Sequence, residues 1–264
     1  MHYLIGFLIA LFIALTGVGA GTITVPLLIL LLGVPATQAV GIGLTFSAAV
    51  KLLLVPAQIA RGHVHWRTLG WMLLGGLPGV ILGSLLLKRL VSWNVQNGID
   101  GILGIILLST AVWQLCATLR ARARIRPVAD RARWLAWLMF PVGIEVGFSS
   151  AGAGALGSAA LLCLTPLEPA QVVGTDIAFG FFVSLAGSGL HILSLPLQQT
   201  LLMQLTLGGV AGAASGTLLS AWVPRQPLRI VLWSWLLVLG GQMLFTSVHA
   251  PAAPSAALHK EARN

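Results

Sequence analysis

Charge is what this chain has least of. Its 264 residues carry 15 Lys and Arg and 6 Asp and Glu, 8% in all, against 57% hydrophobic residues and a mean hydropathy of +0.95. A soluble domain carries roughly 25% charged residues because its surface must face water. A large soluble helical core would also need a charged stripe on most helices, and none is present. Long stretches free of charge exceed the roughly 20 apolar residues that span a bilayer. The sequence therefore predicts an all-α integral membrane protein.

Other absences narrow the function. Only two cysteines occur, Cys116 and Cys163, far apart and without redox or metal spacing; both are read as small core residues. There is no nucleotide-binding P-loop, which argues against direct use of ATP. No His-Glu-x-x-His helix, carboxylate cluster or nucleophile–base pair appears, so no enzyme, metal or cofactor is expected. His63 and His65 flank a basic loop without a third ligand and are read as loop residues. Residues 3–15 could pass for a signal-peptide core, but no Lys or Arg precedes them. The Gly-rich stretch that follows returns at 152–154, which assigns it to the fold.

What basic charge there is sits in clusters. Arg120, Arg122, Arg124, Arg126, Arg131 and Arg133 fall in one connection between apolar segments. Lys and Arg beside membrane spans mark a cytoplasmic loop, and anionic headgroups are a sufficient partner, so nucleic acid is not. Trp66, Trp71, Trp93, Trp134, Trp137, Trp222, Trp233 and Trp235 lie near segment ends and are read as an interfacial belt.

The sequence repeats itself. A shift of 133 aligns 19–86 with 152–219 without a gap, with 20 identities in 68 positions. Leucine matches carry little weight. The in-phase Gly19-Ala20-Gly21 and Gly152-Ala153-Gly154, Gln38 and Gln171, Gly75-Gly76 and Gly208-Gly209, Gly79 and Gly212, and Gly83 and Gly216 carry the argument. About eight transmembrane helices in two four-helix repeats are expected, at 3–32, 38–60, 68–88, 95–117, 134–165, 170–194, 198–222 and 227–248. The organisation is then 1–117, a basic cytoplasmic loop 118–133, 134–248, and a tail 249–264. Gly75/Gly79/Gly83 and their counterparts, spaced by four, predict close helix packing.

The first and fifth segments are too long for a simple crossing. Both hold the Gly-rich stretch and are read as broken helices, whose irregular backbone needs protein or a watery cavity beside it. Half-helix N-termini there would offer N–H groups and positive dipole ends to an anion. That nominates Gly19, Gly21, Thr22, Thr24, Ser150, Gly152 and Gly154 for substrate. Read as re-entrant hairpins instead, the same segments would invert the repeats; the basic residues split ten to four either way. Parallel repeats are the preferred expectation.

Ionisable residues inside a span are functional by default. Lys51 and Asp176 stand out and are expected to face each other, as an ion pair or as a substrate-binding lysine beside a proton-carrying carboxylate. Glu145, taken as near the interface, and His191 rank lower. Gln38, Gln171 and Thr175 complete the candidates.

The runs Gly17-Val18-Gly19-Ala20-Gly21 to Pro26-Leu27-Leu28, Gly33-Val34-Pro35, Ala39-Val40-Gly41 and Val173-Gly174-Thr175-Asp176 resemble the TauE/SafE sulfite exporter family across about 3–245. The resemblance implies a multi-pass permease of the bacterial cell inner membrane for small sulfur-containing or organic anions, such as sulfite or sulfonates. Relatives often carry Gly-Thr-Asp and Thr-Lys in the first repeat. Here Gly41-Ile42-Gly43 and Val50-Lys51 stand instead, so the lysine is kept and the first carboxylate lost. Expected partners are a small anion, the lipid bilayer, a coupling ion (proton or sodium) and a second copy in a homodimer. The competing reading is a membrane scaffold without transport activity.

Overall fold

The computed structural model describes residues 2–16, 20–92, 96–120, 130–151, 154–192, 199–219 and 225–249. Ten helices and no strand occupy the described residues: α1 (His2–Thr16), α2 (Ala20–Leu32), α3 (Ala36–Ala60), α4 (Trp66–Ser92), α5 (Gln96–Arg120), α6 (Trp134–Ser149), α7 (Ala155–Leu164), α8 (Pro169–Ile192), α9 (Gln199–Leu219) and α10 (Arg225–His249). Helix is the natural outcome for such apolar runs, because it pairs every backbone polar group within the segment.

Length separates two kinds of helix. α3, α4, α5, α8, α9 and α10 have 21–27 residues, or about 31–40 Å at 1.5 Å per residue, enough to cross a hydrocarbon core of about 30 Å. Four of them, at Ala36–Ala60, Trp66–Leu90, Pro169–Ile192 and Gln199–Leu219, are long and apolar enough to span a membrane on the described residues alone. The other four have 10–16 residues and fall short.

The short helices come in pairs that fold back. The Arg131 N–H, just ahead of α6, donates to the Leu164 carbonyl at the end of α7 at 2.9 Å. The end of α7 therefore returns to the start of α6. In the same way His2, opening α1, and Leu32 and Val34, closing α2, line one cavity of about 530 Å³. The long segments expected as broken helices are thus hairpins. The turn of the second lies at Ser150, whose φ of 61° is the only positive value outside glycine among the described residues. There the Ser149 hydroxyl donates to the Glu145 carbonyl at 2.9 Å and accepts the Ala151 N–H at 3.2 Å.

Helix directions follow from the glycine contacts. A Cβ placed on Gly75, Gly79 and Gly83 of α4 would strike the carbonyl oxygens of Ala136, Phe140 and Ile144 of α6, so these helices run parallel. The same holds 133 residues on: Gly208 and Gly212 of α9 sit under the Tyr3 and Phe7 carbonyls of α1, and Gly216 under Ala14 and Leu11. Glycine lets backbones approach this closely, and in a bilayer such van der Waals packing replaces the missing hydrophobic drive. The spacing of four was the right signal.

α3 and α8 lie 133 residues apart in sequence but cross in opposite directions. Leu44 meets Gly187, Ser47 bonds Ser184, and Lys51 lies along Gly180. α5 and α10 are antiparallel too, with Gly104 against Leu244 and Gly240 against Leu108. Corresponding helices that oppose one another rule out the parallel arrangement expected from the sequence.

Two smaller expectations change. Cys116 and Cys163 are exposed rather than core residues. Trp233 is 1% exposed and sits in the core with Phe46 and Phe179 instead of at a belt. Trp66, Trp134, Trp137 and Trp235 are exposed, and Trp93 and Trp222 lie outside the described residues.

Candidate functional site

Residues flanking the two hairpin turns meet inside the bundle. Gly21, in the first turn of α2, packs so tightly on Ser150 that a Cβ would overlap its carbonyl and hydroxyl oxygens. Gly43 of α3 faces the same Ser150 hydroxyl and Val25 of α2. Ser150 is 4% exposed, and its hydroxyl has no hydrogen-bond partner among the described residues. Thr22 and Thr24 are buried on α2 beside it. Gly19 and Gly152 lie outside the described residues; Gly154 is the half-buried residue that opens α7.

Beneath the turns is the crossing of α3 and α8. Lys51 and Asp176 are 5% and 3% exposed and interact electrostatically, as their positions in the sequence suggested. Each has a specific accommodation. Lys51 passes over Gly180, where any side chain would collide with its ammonium group. Asp176 accepts the Ser158 hydroxyl of α7 at 2.6 Å and crowds Gly157 one residue before it. One turn along the crossing the Ser47 and Ser184 hydroxyls bond each other at 3.0 Å. A buried lysine, a carboxylate tied to a hairpin arm and a hydroxyl pair form a polar seam between apolar helix faces.

Three candidates lie away from it. The Gln171 Oε1 accepts the Glu168 N–H at 3.3 Å and caps the start of α8. Gln38 is half-buried at the start of α3. Because α3 and α8 are antiparallel, these equivalent glutamines sit at opposite ends of the bundle and cannot share a ligand. The Thr175 hydroxyl is taken by the His65 N–H at 3.0 Å; the turn between α3 and α4 folds over the start of α8. In that turn His63 bonds Gln58 and His65 bonds Thr68.

Glu145 is also relocated. It lies eleven residues beyond Trp134, about 16 Å along α6, rather than near the interface. Its carboxyl group meets the Thr110 hydroxyl of α5 at 2.6 Å. His191 bonds the Gly187 carbonyl at 3.1 Å near the end of α8. The reading from sequence missed Ser47, Ser184 and Gly180. Ser184 is the counterpart of Lys51 and Gly180 that of Ser47, so pairing α3 with α8 in antiparallel sense would have found all three.

The sequence model of the family described as Sulfite exporter TauE/SafE matches residues 3–243. The chain belongs to this family. It is 28% identical over 250 residues, 91% of this chain and 98% of the relative, to the probable membrane transporter protein YjnA of Bacillus subtilis (strain 168). No solved structure matches. A TauE/SafE member is a multi-pass membrane transporter and not an enzyme.

Proposed function

We propose that this TauE/SafE protein is a secondary transporter of small anions, probed best with sulfite and sulfonates, in the bacterial inner membrane. It is built as two copies of one unit, each a hairpin followed by three crossing helices. An odd number of crossings inverts the second copy, which is how many secondary transporters place a site between two moving halves. The 133-residue offset between the two sets of glycine contacts supports the duplication. Placing Arg61, Arg67, the six arginines of the loop, Arg225 and Arg229 on one side leaves Lys88, Arg89, Lys260 and Arg263 on the other. The ten-residue side is cytoplasmic by the charge rule.

One observation carries the reading: Lys51 is buried at the α3–α8 crossing, opposite a glycine that makes room for it. A lone ammonium at this depth costs about 2.5–3.5 kcal/mol even on the lenient scale. Replacing the Lys51–Asp176 pair by two apolar residues would cost the fold no more. Anion binding is the reason to keep the lysine, with the hairpin turns closing over the ligand.

The test is flux of labelled sulfite and a small sulfonate into proteoliposomes. Lys51→Met should reduce flux on the order of tenfold or more, the change set by about 1.4 kcal/mol of lost binding. Lys51→Arg should keep partial affinity with altered geometry. An apolar pair can replace a buried ion pair in stability but cannot hold an anion. Lys51→Met with Asp176→Leu should therefore fold as well as wild type and stay inactive. Normal transport by that double variant would sink the site.

A further inference from the structure

The bundle holds a second intramembrane carboxyl group that the proposed anion site does not use. Glu145 sits one turn before the second hairpin turn, and its carboxyl oxygen lies 2.6 Å from the Thr110 hydroxyl. That hydroxyl lies equally close, at 2.6 Å, to the Ile106 carbonyl one turn back on α5. Thr110 donates toward the Glu145 carboxyl and lies equally close to the Ile106 carbonyl, so its single proton is shared between two acceptors. A protonated Glu145 would relieve that sharing: the acid would donate to Thr110, and Thr110 to Ile106 alone.

Among the described residues, no compensating charge is recorded against the Glu145 carboxyl. α5 presents Thr110; α4 presents Gly83 and Ser84, the latter donating to the Gly147 carbonyl, with Lys88 and Arg89 a turn beyond and exposed. α8 carries Asp176 and His191, and α2 and α7 carry no acid or basic group. None of these pairs with Glu145 among the described residues. Glu145 is also half-buried rather than sealed within the bundle.

We propose that Glu145 is a proton-binding residue and that the proton is the coupling ion. The inference deepens the transport reading and rests on it for the coupling. Release passes the proton from the Glu145 carboxyl to water; Thr110 then turns its O–H from Ile106 to the carboxylate, and no other group changes charge. The link to the anion site is covalent and short. The Ser149 hydroxyl holds the Glu145 carbonyl and the Ala151 N–H together, and the intervening Ser150 is the residue packed on Gly21 and Gly43. A charge appearing at Glu145 therefore acts on the turn that covers the anion.

Infrared difference spectroscopy on the purified protein at neutral pH decides the protonation without a substrate. A protonated carboxyl band should be present in wild type, absent in Glu145→Gln and shifted in frequency in Thr110→Val, which keeps the acid but removes its acceptor. Identical spectra for wild type and Glu145→Gln would overturn the proposal, and the threonine variant guards against misfolding of the glutamine one. The coupling is read as accumulation of labelled sulfite under an imposed pH gradient against exchange without one. Glu145→Gln should lose the pH-driven accumulation on the order of tenfold and keep exchange. Equal pH-driven accumulation by both proteins would overturn the coupling. A wild type that moves no sulfite in either mode would count against the substrate class instead, with the infrared band still deciding Glu145.

Discussion

The α3–α8 crossing contains two versions of one contact. At one end Lys51 lies over Gly180; at the other Ser184 meets Ser47 across 3.0 Å. Each pair is the other displaced by 133 residues, with Lys51 corresponding to Ser184 and Gly180 to Ser47. The same holds one step out, where Asp176 bonds Ser158 while its counterpart Gly43 packs on Val25. A geometry that accepts a neutral hydroxyl pair at one end has no structural need of charge at the other. The lysine, and the glycine that admits it, are additions to a scaffold that closes without them. Both charges also lie nearer one membrane face: Lys51 is nine residues from the end of α3 and Asp176 seven from the start of α8, about 14 and 10 Å.

The largest effect expected is all-or-none, and it tests whether the two ends lie toward opposite faces at all. Single-cysteine variants at His259 and Arg126, made after replacing the exposed Cys116 and Cys163, are labelled with an impermeant reagent in intact cells. With two hairpins and six crossings, the two sites label from opposite sides of the membrane, position 259 from outside. Labelling of both from the same side would break the inverted arrangement and with it the equivalence of the two crossings.

Much of this was legible in the sequence. Scarcity of charge gives the membrane class, because a bilayer penalises every ionised group that a watery surface would welcome. Glycine spacing gives the packing faces. Position 43, the counterpart of Asp176, lies eight residues or about two turns from Lys51 and so on the same helix face. That points Lys51 toward Asp176 when the two repeat helices pack. The hairpins were not legible: about 30 apolar residues with a glycine break suit a bent crossing as well as a fold-back, and the basic residues split ten to four under either. Gln38 and Gln171 could not be placed for the same reason, since sequence equivalence under inversion puts residues at opposite ends. The Glu145–Thr110 contact joins two helices with no periodic signal between them, and nothing in the chain announces it.

A smaller effect comes from making the charged end resemble the neutral one. Gly180→Ser alone places an atom where the Lys51 ammonium lies, and such overpacking costs about 1–3 kcal/mol. Adding Lys51→Ser removes the obstruction and recreates the Ser47–Ser184 pairing. Thermal unfolding in detergent should show the single variant destabilised and the double restored, with sulfite flux lost in both. A double variant no more stable than Gly180→Ser would mean that the two ends differ in more than these two residues.

The smallest effect is expected at the neutral end. Ser47 and Ser184 are each about 2% exposed, and their mutual hydrogen bond is worth about 0.5–1.5 kcal/mol net. Ser47→Ala or Ser184→Ala strands one buried hydroxyl, so each single variant should lose about 1 kcal/mol, whereas removing both partners is close to neutral. The double alanine variant should therefore be at least as stable as either single. Flux should stay within a few-fold of wild type in all three, because no charge or proton passes through this pair in the proposed cycle. Loss of transport in Ser184→Ala as complete as in Lys51→Met would show that the hydroxyl end also holds the anion. The site would then extend over both counterparts, and the charged end would lose its privileged role.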